Sequence, residues 1–353
     1  MQRGKSKHRP RDDEKLYGGA YPFIQTGDIK KANLYIKEYE RTYSNYGLSQ
    51  SKLWPKGTLC ITIAANIAET AILGLNACFP DSVIGWISNE KITNNIFIKY
   101  YFDFYKTQLK RLSVGGAQEN LNLDKLENVY FHIPTLPEQN DITNLLTKID
   151  ELIETQIKII DTLLSEINSI RSLIFNKSSL KWIPLKDIVA EQDIKLKRGK
   201  VIPKHKKNLK YIYPVYSSSI TNSGLMGYSD SYMFNQELIT WSIDGGGNFF
   251  YRKKHKFNIT NVSGYMILNE NLFNYQFIVQ SLIWQHEKLK FDYQTKAHPS
   301  VVESLYKIPI MDLEEQHKYA CLFSNLNEKY ELELHTLDLL NMQKKYLLKN
   351  MFV

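Results

Sequence analysis

The second half of this chain repeats the first, and each copy ends in a long amphipathic helix. Ile133-Pro134-Thr135-Leu136-Pro137-Glu138-Gln139 returns as Ile308-Pro309-Ile310-Met311-Asp312-Leu313-Glu314-Glu315-Gln316, and from Gln139 and Gln316 onward the copies stay in register at an offset of 177. Leu145 then matches Leu322, Asp161 matches Asp338, Leu163 matches Leu340 and Phe175 matches Phe352. A duplicated unit of one globular part plus one long helix predicts two similar heads on a spacer. Such a chain measures the distance between two similar targets, and targets of that kind are most often nucleic acid.

At 353 residues there is room for two domains with separate cores. An apolar content of 43% with 12% aromatics excludes a disordered chain. No uninterrupted apolar run reaches the roughly 18 residues a membrane span needs. The basic N-terminus lacks an apolar stretch of the signal-peptide kind. Cys60, Cys78 and Cys321 show no metal-like spacing and read as reduced thiols of a cytoplasmic protein. The net charge of +8 is unevenly spread: +5 over 1–135, −3 over 136–179, +8 over 180–310 and −2 over 311–353. Positive potential therefore belongs to the heads, where a polyanion would bind, although lysine-rich composition alone gives a plainer reading.

Residues 1–15 lack periodicity and read as a basic loop. Tyr21–Ile29 suggests a short strand entering a turn, Gly57–Ala65 a buried strand, and Ala71–Leu75 and Ser82–Ile87 further strands. Helical spacing covers Asn94–Leu112, followed by a loop at 113–121 and a last strand around Val129–Ile133. A helix then starts near Leu136–Pro137, with Pro137 in the first turn and Glu138 at the positive end of the dipole. Apolar residues step by three and four from Ile142 to Ile174 with neither Gly nor Pro between. A helix of that extent is about 55–60 Å long. Its single stripe needs a partner of similar length, and the second copy supplies one. Leu145, Ile149, Ile157 and Leu164 are expected in the seam, facing Leu322, Leu326, Leu334 and Leu340.

The second head opens on Trp182-Ile183-Pro184-Leu185-Lys186-Asp187-Ile188 and then repeats the order of the first. Arg198-Gly199-Lys200 echoes Arg3-Gly4-Lys5, and Tyr213-Pro214-Val215-Tyr216 echoes Tyr21-Pro22-Phe23-Ile24. Leu238–Ile243 echoes Leu59–Ile63, and Val262-Ser263-Gly264-Tyr265 echoes Val83-Ile84-Gly85-Trp86. Order is kept while local sequence diverges, as expected of two heads that read different things.

Three features carry a resemblance: the Tyr-Pro-Phe-Ile-Gln-Thr-Gly-Asp-Ile segment at 21–29, the Gly-Gly-Ala-Gln-x-Asn-Leu loop at 115–121, and the twice-used Ile-Pro lead into a long helix. Together they resemble the specificity subunit of Type I restriction–modification systems over nearly the whole chain. The resemblance implies an α+β protein, with two α/β target recognition domains in tandem joined by two long helices in an antiparallel coiled coil. It places the first recognition domain at 1–135, the first spacer helix at 136–179, the second recognition domain at 180–310 and the second helix at 311–353. Each domain would read one half of a bipartite double-stranded DNA target. The helices would set the gap and bind two modification (methyltransferase) subunits, which can recruit restriction subunits. No membrane is implied. One departure stands out: the first head begins at Gln2-Arg3-Gly4-Lys5 with no counterpart of Trp182–Ile188. A specificity-like decoy, or a recombination-cassette product that occupies modification subunits without directing them, is the alternative.

Catalytic chemistry finds little footing. There is no Asn-Pro-Pro-Tyr-like methyltransferase motif, no Gly-x-Gly cofactor loop after a strand, no Walker sequence and no histidine pair at ligand spacing. Asp244-Gly245-Gly246-Gly247-Asn248 reads as a hairpin turn. The chain is therefore expected to be non-catalytic, with neither cofactor nor metal. Polar loops suit DNA contact better. Arg3, Lys5, Lys7, His8 and Arg9 can grip phosphates or place an arginine against guanine, or else form a solvated terminus. Arg198, Lys200, Lys204, His205, Lys206 and Lys207 occupy the corresponding loop. Gln25, Thr26 and Asp28, with Ser217, Ser218, Ser219 and Asn222 opposite them in the repeat, suit base-edge hydrogen bonds or turn capping alike. Gln118 and Asn120 carry adenine-pairing amides, with backbone contact or packing as the alternative.

Overall fold

Two helices of 40 and 39 residues dominate the structure, a computed structural model. It describes residues 1–352 other than 65, 114–120, 122, 124, 125, 127–129, 131, 220, 245 and 290–295, with the backbone alone at 111–113. In chain order the elements are β1 (Gln2–Arg3), β2 (Tyr17–Phe23), α1 (Thr26–Lys31), β3 (Tyr35–Ile36), β4 (Arg41–Tyr43), α2 (Asn45–Ser49), β5 (Leu59–Thr62), β6 (Thr70–Leu73), β7 (Val83–Trp86), α3 (Asn95–Ser113) and α4 (Leu136–Phe175). There follow β8 (Lys181–Pro184), α5 (Leu185–Ala190), β9 (Ile194–Arg198), β10 (Tyr213–Tyr216), β11 (Leu225–Ser229), β12 (Phe234–Ser242), β13 (Phe249–Ile259), β14 (Ser263–Leu268), α6 (Tyr275–Lys288), α7 (Pro299–Leu305), β15 (Lys307–Ile310) and α8 (Leu313–Met351). The chain divides into two compact units, and the division cuts both long helices. Unit 1 is Met1–Lys158 with His335–Val353, and unit 2 is Ile159–Leu334.

Unit 1 holds a five-stranded sheet in the order β1-β7-β5-β6-β3 beside a β2–β4 ribbon. The expected N-terminal loop is corrected at Gln2 and Arg3, which pair antiparallel with Gly85 and Ile84 at the sheet edge. Unit 2 holds a six-stranded sheet, β11-β10-β13-β12-β14-β9, and a β15–β8 ribbon. That ribbon pairs the lead-in Lys181–Pro184 with Lys307–Ile310, just ahead of the long helix. The described residues of unit 1 contain no such ribbon.

The repeat is visible in individual hydrogen bonds. Gly4 donates to the Val83 carbonyl at 2.8 Å and Gly199 to that of Ser263 at 3.0 Å. Both glycines lie hard against backbone: a Cβ on Gly4 would sit 2.3 Å from the Pro80 oxygen, and one on Gly199 2.2 Å from the Ile259 oxygen. No side chain fits such a contact, which is why Arg-Gly-Lys recurs. The same bonds correct one sequence pairing by a residue, since Val83 answers to Ser263 and therefore Ile84, not Gly85, answers to Gly264. Each glycine instead clears its own indole, because a Cβ on Gly85 would meet Trp54 at 2.7 Å and one on Gly264 would meet Trp241 at 2.1 Å.

Gln139 and Gln316 are 0% and 1% exposed. Gln139 Nε2 donates to the carbonyls of Ile92 and Pro134, and its Oε1 accepts from the Thr93 hydroxyl at 2.6 Å. Gln316 Nε2 donates to Leu272 and Met311, and its Oε1 accepts from the Asn274 amide at 2.9 Å. Each carboxamide thus ties the start of a long helix to the loop ahead of its head's helix, with donors and acceptors satisfied. Asn94 and Asn274 complete the match by accepting from the amides of Phe97 and Phe277, which caps α3 and α6.

Within unit 1 the start of α4 and the end of α8 run antiparallel: Ile142 and Leu146 share a core with Leu347 and Phe352, and Lys344 Nζ lies 2.6 Å from Asp150 Oδ1. Within unit 2 the end of α4 meets the start of α8 in the same sense, with Phe175 stacked on Phe323 at 6.5 Å. The buried stripe of α4 passes through Leu146, Ile149, Ile153, Gln156, Ile160, Leu163, Ile167 and Arg171. Ile149 is 5% exposed. Leu145, Ile157, Leu164 and Leu322 are corrected to solvent-facing positions at 39–43% exposure, while Leu326, Leu334 and Leu340 are half-buried. The single apolar stripe expected of α4 is corrected too: apolar residues also lie off the buried face, so the spacing alone did not say which stripe would be covered. Ile157→Asp is accordingly expected to shift the unfolding free energy by less than about 0.5 kcal/mol. A loss of several kcal/mol in a denaturant titration would put Ile157 back in the seam.

Candidate nucleic-acid interface

The basic loop of unit 1 is held by its own side chains. His8 Nε2 lies 2.7 Å from Asp13 Oδ2 and its Nδ1 3.1 Å from the Tyr46 hydroxyl. The Asp13 carboxyl is held below its ordinary range by the Lys15 amide and then by His8. Arg9 donates to the carbonyls of Ser6 and His8 and lies 3.6 Å from Asp81. Arg11 Nη2 donates to both carboxylate oxygens of the same Asp81, at 2.8 and 3.0 Å. His8 and Arg9 are thus committed to loop structure. Arg3, Lys5 and Lys7 are exposed and make no ion pair among the described residues, so they are the cations of this loop available to a polyanion.

The short polar residues fall into two groups. Asp28 is 7% exposed and accepts the Gln25 amide at 2.8 Å at the start of α1. It is a helix cap, which corrects its place among base-reading groups. Ser217 is 9% exposed and accepts from the Thr260 hydroxyl at 3.1 Å, and it is corrected in the same way. The Ser218 carbonyl accepts the Ser242 hydroxyl at 2.9 Å. Gln25 and Thr26 are half-buried at the start of α1, Ser218 is half-buried just past β10, and Asn222 is exposed in a left-handed turn at φ 49°. Gln118, together with most of the loop that carries it, lies outside the described residues, as does part of the expected strand at 129–133.

In unit 2, Arg198 gives Nε and Nη2 to the Asn261 carbonyl at 3.2 and 2.8 Å. Lys200, Lys204, Lys206 and Lys207 are exposed. The segment they occupy is pinned to β11 by reciprocal backbone bonds between His205 and Tyr228 at 3.1 and 3.0 Å. The His205 ring stacks on Tyr211 at 3.9 Å and Lys207 Nζ lies 5.5 Å over Tyr228. These lysines are carried on a supported loop, where a phosphate contact costs less ordering.

Sequence reasoning passed over the neighbouring run Arg252-Lys253-Lys254-His255-Lys256. Here β13 carries exposed Lys254. Lys256 Nζ lies 4.9 Å over the Tyr232 ring and 6.0 Å from that of Tyr213, and Arg252 is turned inward. Five basic or imidazole side chains inside one strand were the signal that could have found it. Lys253 is spent on Glu328 of α8 at 2.8 Å. Among the described residues no group of three or more His, Cys, Asp or Glu side chains could hold a metal ion, and no helix is long and apolar enough to cross a membrane. The arrangement is two basic heads with hydrogen-bonding loops, suited to gripping a polyanion and reading its edges.

Comparison with known proteins gives a consistent picture. The family described as the Type I restriction modification DNA specificity domain matches twice, over residues 3–164 and 181–342. A Methanocaldococcus jannaschii chain provisionally named as the MjaX type I restriction enzyme specificity subunit is 28% identical over 141 residues, covering 40% of this chain and 32% of that protein. A Mycoplasma pneumoniae chain provisionally named as a type I specificity subunit is 34% identical over 115 residues, covering 30% of this chain and 36% of that one. The aligned region thus spans about a third of the length of these curated relatives. The solved structure of a Type-I restriction-modification system S subunit from M. genitalium is similar in fold, with TM-score 0.64 and 18% identity, over 99% of this chain and 93% of that one.

Proposed function

The chain belongs to the family of Type I restriction modification DNA specificity domains, which it carries twice, and from that premise we propose that it is the non-catalytic, sequence-reading subunit of a Type I restriction–modification complex. Each head reads one half of a split double-stranded target, and the two long helices set the gap. The observation that carries this reading is the duplication itself: one scaffold kept down to single hydrogen bonds, with different side chains on its loops.

Two modification subunits dock on the helices and methylate adenine in the target, and restriction subunits join through them. Support for docking comes from the large apolar side chains that α4 and α8 leave open, among them Leu152, Leu173, Leu332 and Met342 at 53–72% exposure. The free cysteines Cys60, Cys78 and Cys321 suit the reducing cytoplasm in which such a complex meets chromosomal DNA.

Affinity purification of the chain with its modification subunit, followed by titration onto duplex DNA at rising salt, tests the reading. The complex is expected to bind with a steep negative slope of log K against log salt and to prefer a subset of duplexes. Co-purification without any sequence preference would favour the decoy alternative instead.

A further inference from the structure

The side of the unit 2 sheet turned away from α6 carries a charge that the fold itself does not use. Side chains alternate along a strand. Ile239 and Trp241 of β12 pack with Phe277 and Ile278 of α6, so Leu238 and Thr240 face the other way. Arg252 of β13 lies on that other face and is 5% exposed. Its Nε donates to Thr240 Oγ1 at 3.0 Å. Its guanidinium lies 3.8 Å over the Tyr216 ring and 4.9 Å from that of Phe250.

No carboxylate pairs with it among the described residues, and burial pushes the guanidinium down to about 10, which still leaves it charged at neutral pH. Nη1 and Nη2 have no hydrogen-bond partner among the described residues. Nη2 lies against the turn at Thr221–Gly224, 3.3 Å from the place a Cβ on Gly224 would take. Burying a charge without an opposite charge is costly, and such a group persists where it has another use.

Unit 1 shows that the scaffold does not require it. The strand registers make Ile24, Cys60 and Leu73 the counterparts of Tyr216, Thr240 and Arg252. All three are fully buried in one apolar cluster. The same position is thus filled by hydrocarbon in one head and by a stacked, half-satisfied guanidinium in the other.

We infer that Arg252 is a specificity-determining residue of unit 2, whose Nη1 and Nη2 donate to the O6 and N7 acceptors of one guanine in the bound half-site. The inference rests on the DNA-reading function proposed above. Stacking on Tyr216 sets the plane of the fork, and the bond to Thr240 sets its rotation. What remains is the end-on pair of donors that matches guanine in the major groove.

The test uses the complex of the full chain with its modification subunit and duplexes carrying the motif mapped for the unaltered chain. Arg252→Leu restores the apolar side chain found in unit 1. It is expected to melt at or above the original temperature and to lose discrimination at one guanine by about ten- to hundredfold, with the other half-site and the gap unchanged. Arg252→Lys keeps the charge without the fork and is expected to lose the same discrimination; it stands in if the leucine variant does not fold. Undiminished discrimination in a folded variant would overturn the inference. So would an equal loss of affinity on every duplex, which marks a phosphate contact, and so would unfolding of both variants, which marks a structural role. Absence of any motif for the unaltered chain is seen before a variant is made, and it would overturn the proposed function and this inference together.

Discussion

Phe352→Ala, close to the C-terminal end of the sequence, is expected to cost about 3–5 kcal/mol in the unit that contains residue 1. Phe352 is 5% exposed and packs with Phe97, Tyr101 and Phe104 at ring-centre distances of 5.3, 5.6 and 6.1 Å. Its repeat counterpart, Phe175, is 1% exposed and meets Phe277 at 5.4 Å, with Trp182, Trp284 and Phe323 around it. Phe97 and Phe277 are equivalent positions of α3 and α6. The last turn of each long helix therefore completes the core of the head that the other copy contributes: α8 of the second copy ends in unit 1, and α4 of the first copy ends in unit 2. Truncating either ring removes large aromatic area from a packed site that cannot collapse, and the loss falls on a unit far away in sequence. Hydrogen exchange read by mass spectrometry distinguishes the cases. Phe352→Ala should raise exchange in β5, β6 and α3 and spare β12 and β14, and Phe175→Ala should do the reverse. Equal loosening of both units by either variant would contradict the exchange of helix ends between heads.

The second large effect concerns target spacing. If the helices set the gap between half-sites, deleting residues 151–157 together with 337–343 should shorten it. Both segments lie in unit 1, between the Asp150–Lys344 ion pair and the unit boundary. A whole heptad from each helix keeps the buried stripe in phase, so the fold should survive. The helices become about 10.5 Å shorter, equivalent to about 3 base pairs of B-form duplex. Methylation at the original spacing is expected to disappear, with the half-site sequences unaltered wherever a shorter motif is still used. Retention of the original spacing by the folded variant would remove the helices from the role of ruler.

Much of this architecture was legible because it rests on strong local signals. The long helices announced themselves by uninterrupted three- and four-residue stepping. The repeat announced itself through Gln139 and Gln316, whose buried carboxamides admit no other residue without leaving backbone groups unsatisfied. Arg-Gly-Lys recurred for the same kind of reason, a backbone contact that excludes a Cβ. What stayed hidden depends on tertiary context. Ile153, Ile157 and Ile160 are alike in sequence, and only the covered face of α4 separates them. Asp28 and Ser217 look like readers, yet local capping and a neighbouring hydroxyl claim them. Arg252 sits in a charged run that resembles a solvated edge, while a bulge between Gln236 and Leu238 changes the register there and turns that one side chain under Tyr216.

The most direct test of the central claim is long-read mapping of adenine methylation in cells making the modification subunit with and without this chain. The proposed function predicts a split motif that appears only when the chain is present, giving both half-sites and the gap at once. An unchanged methylation map, despite co-purification of the two proteins, would contradict it.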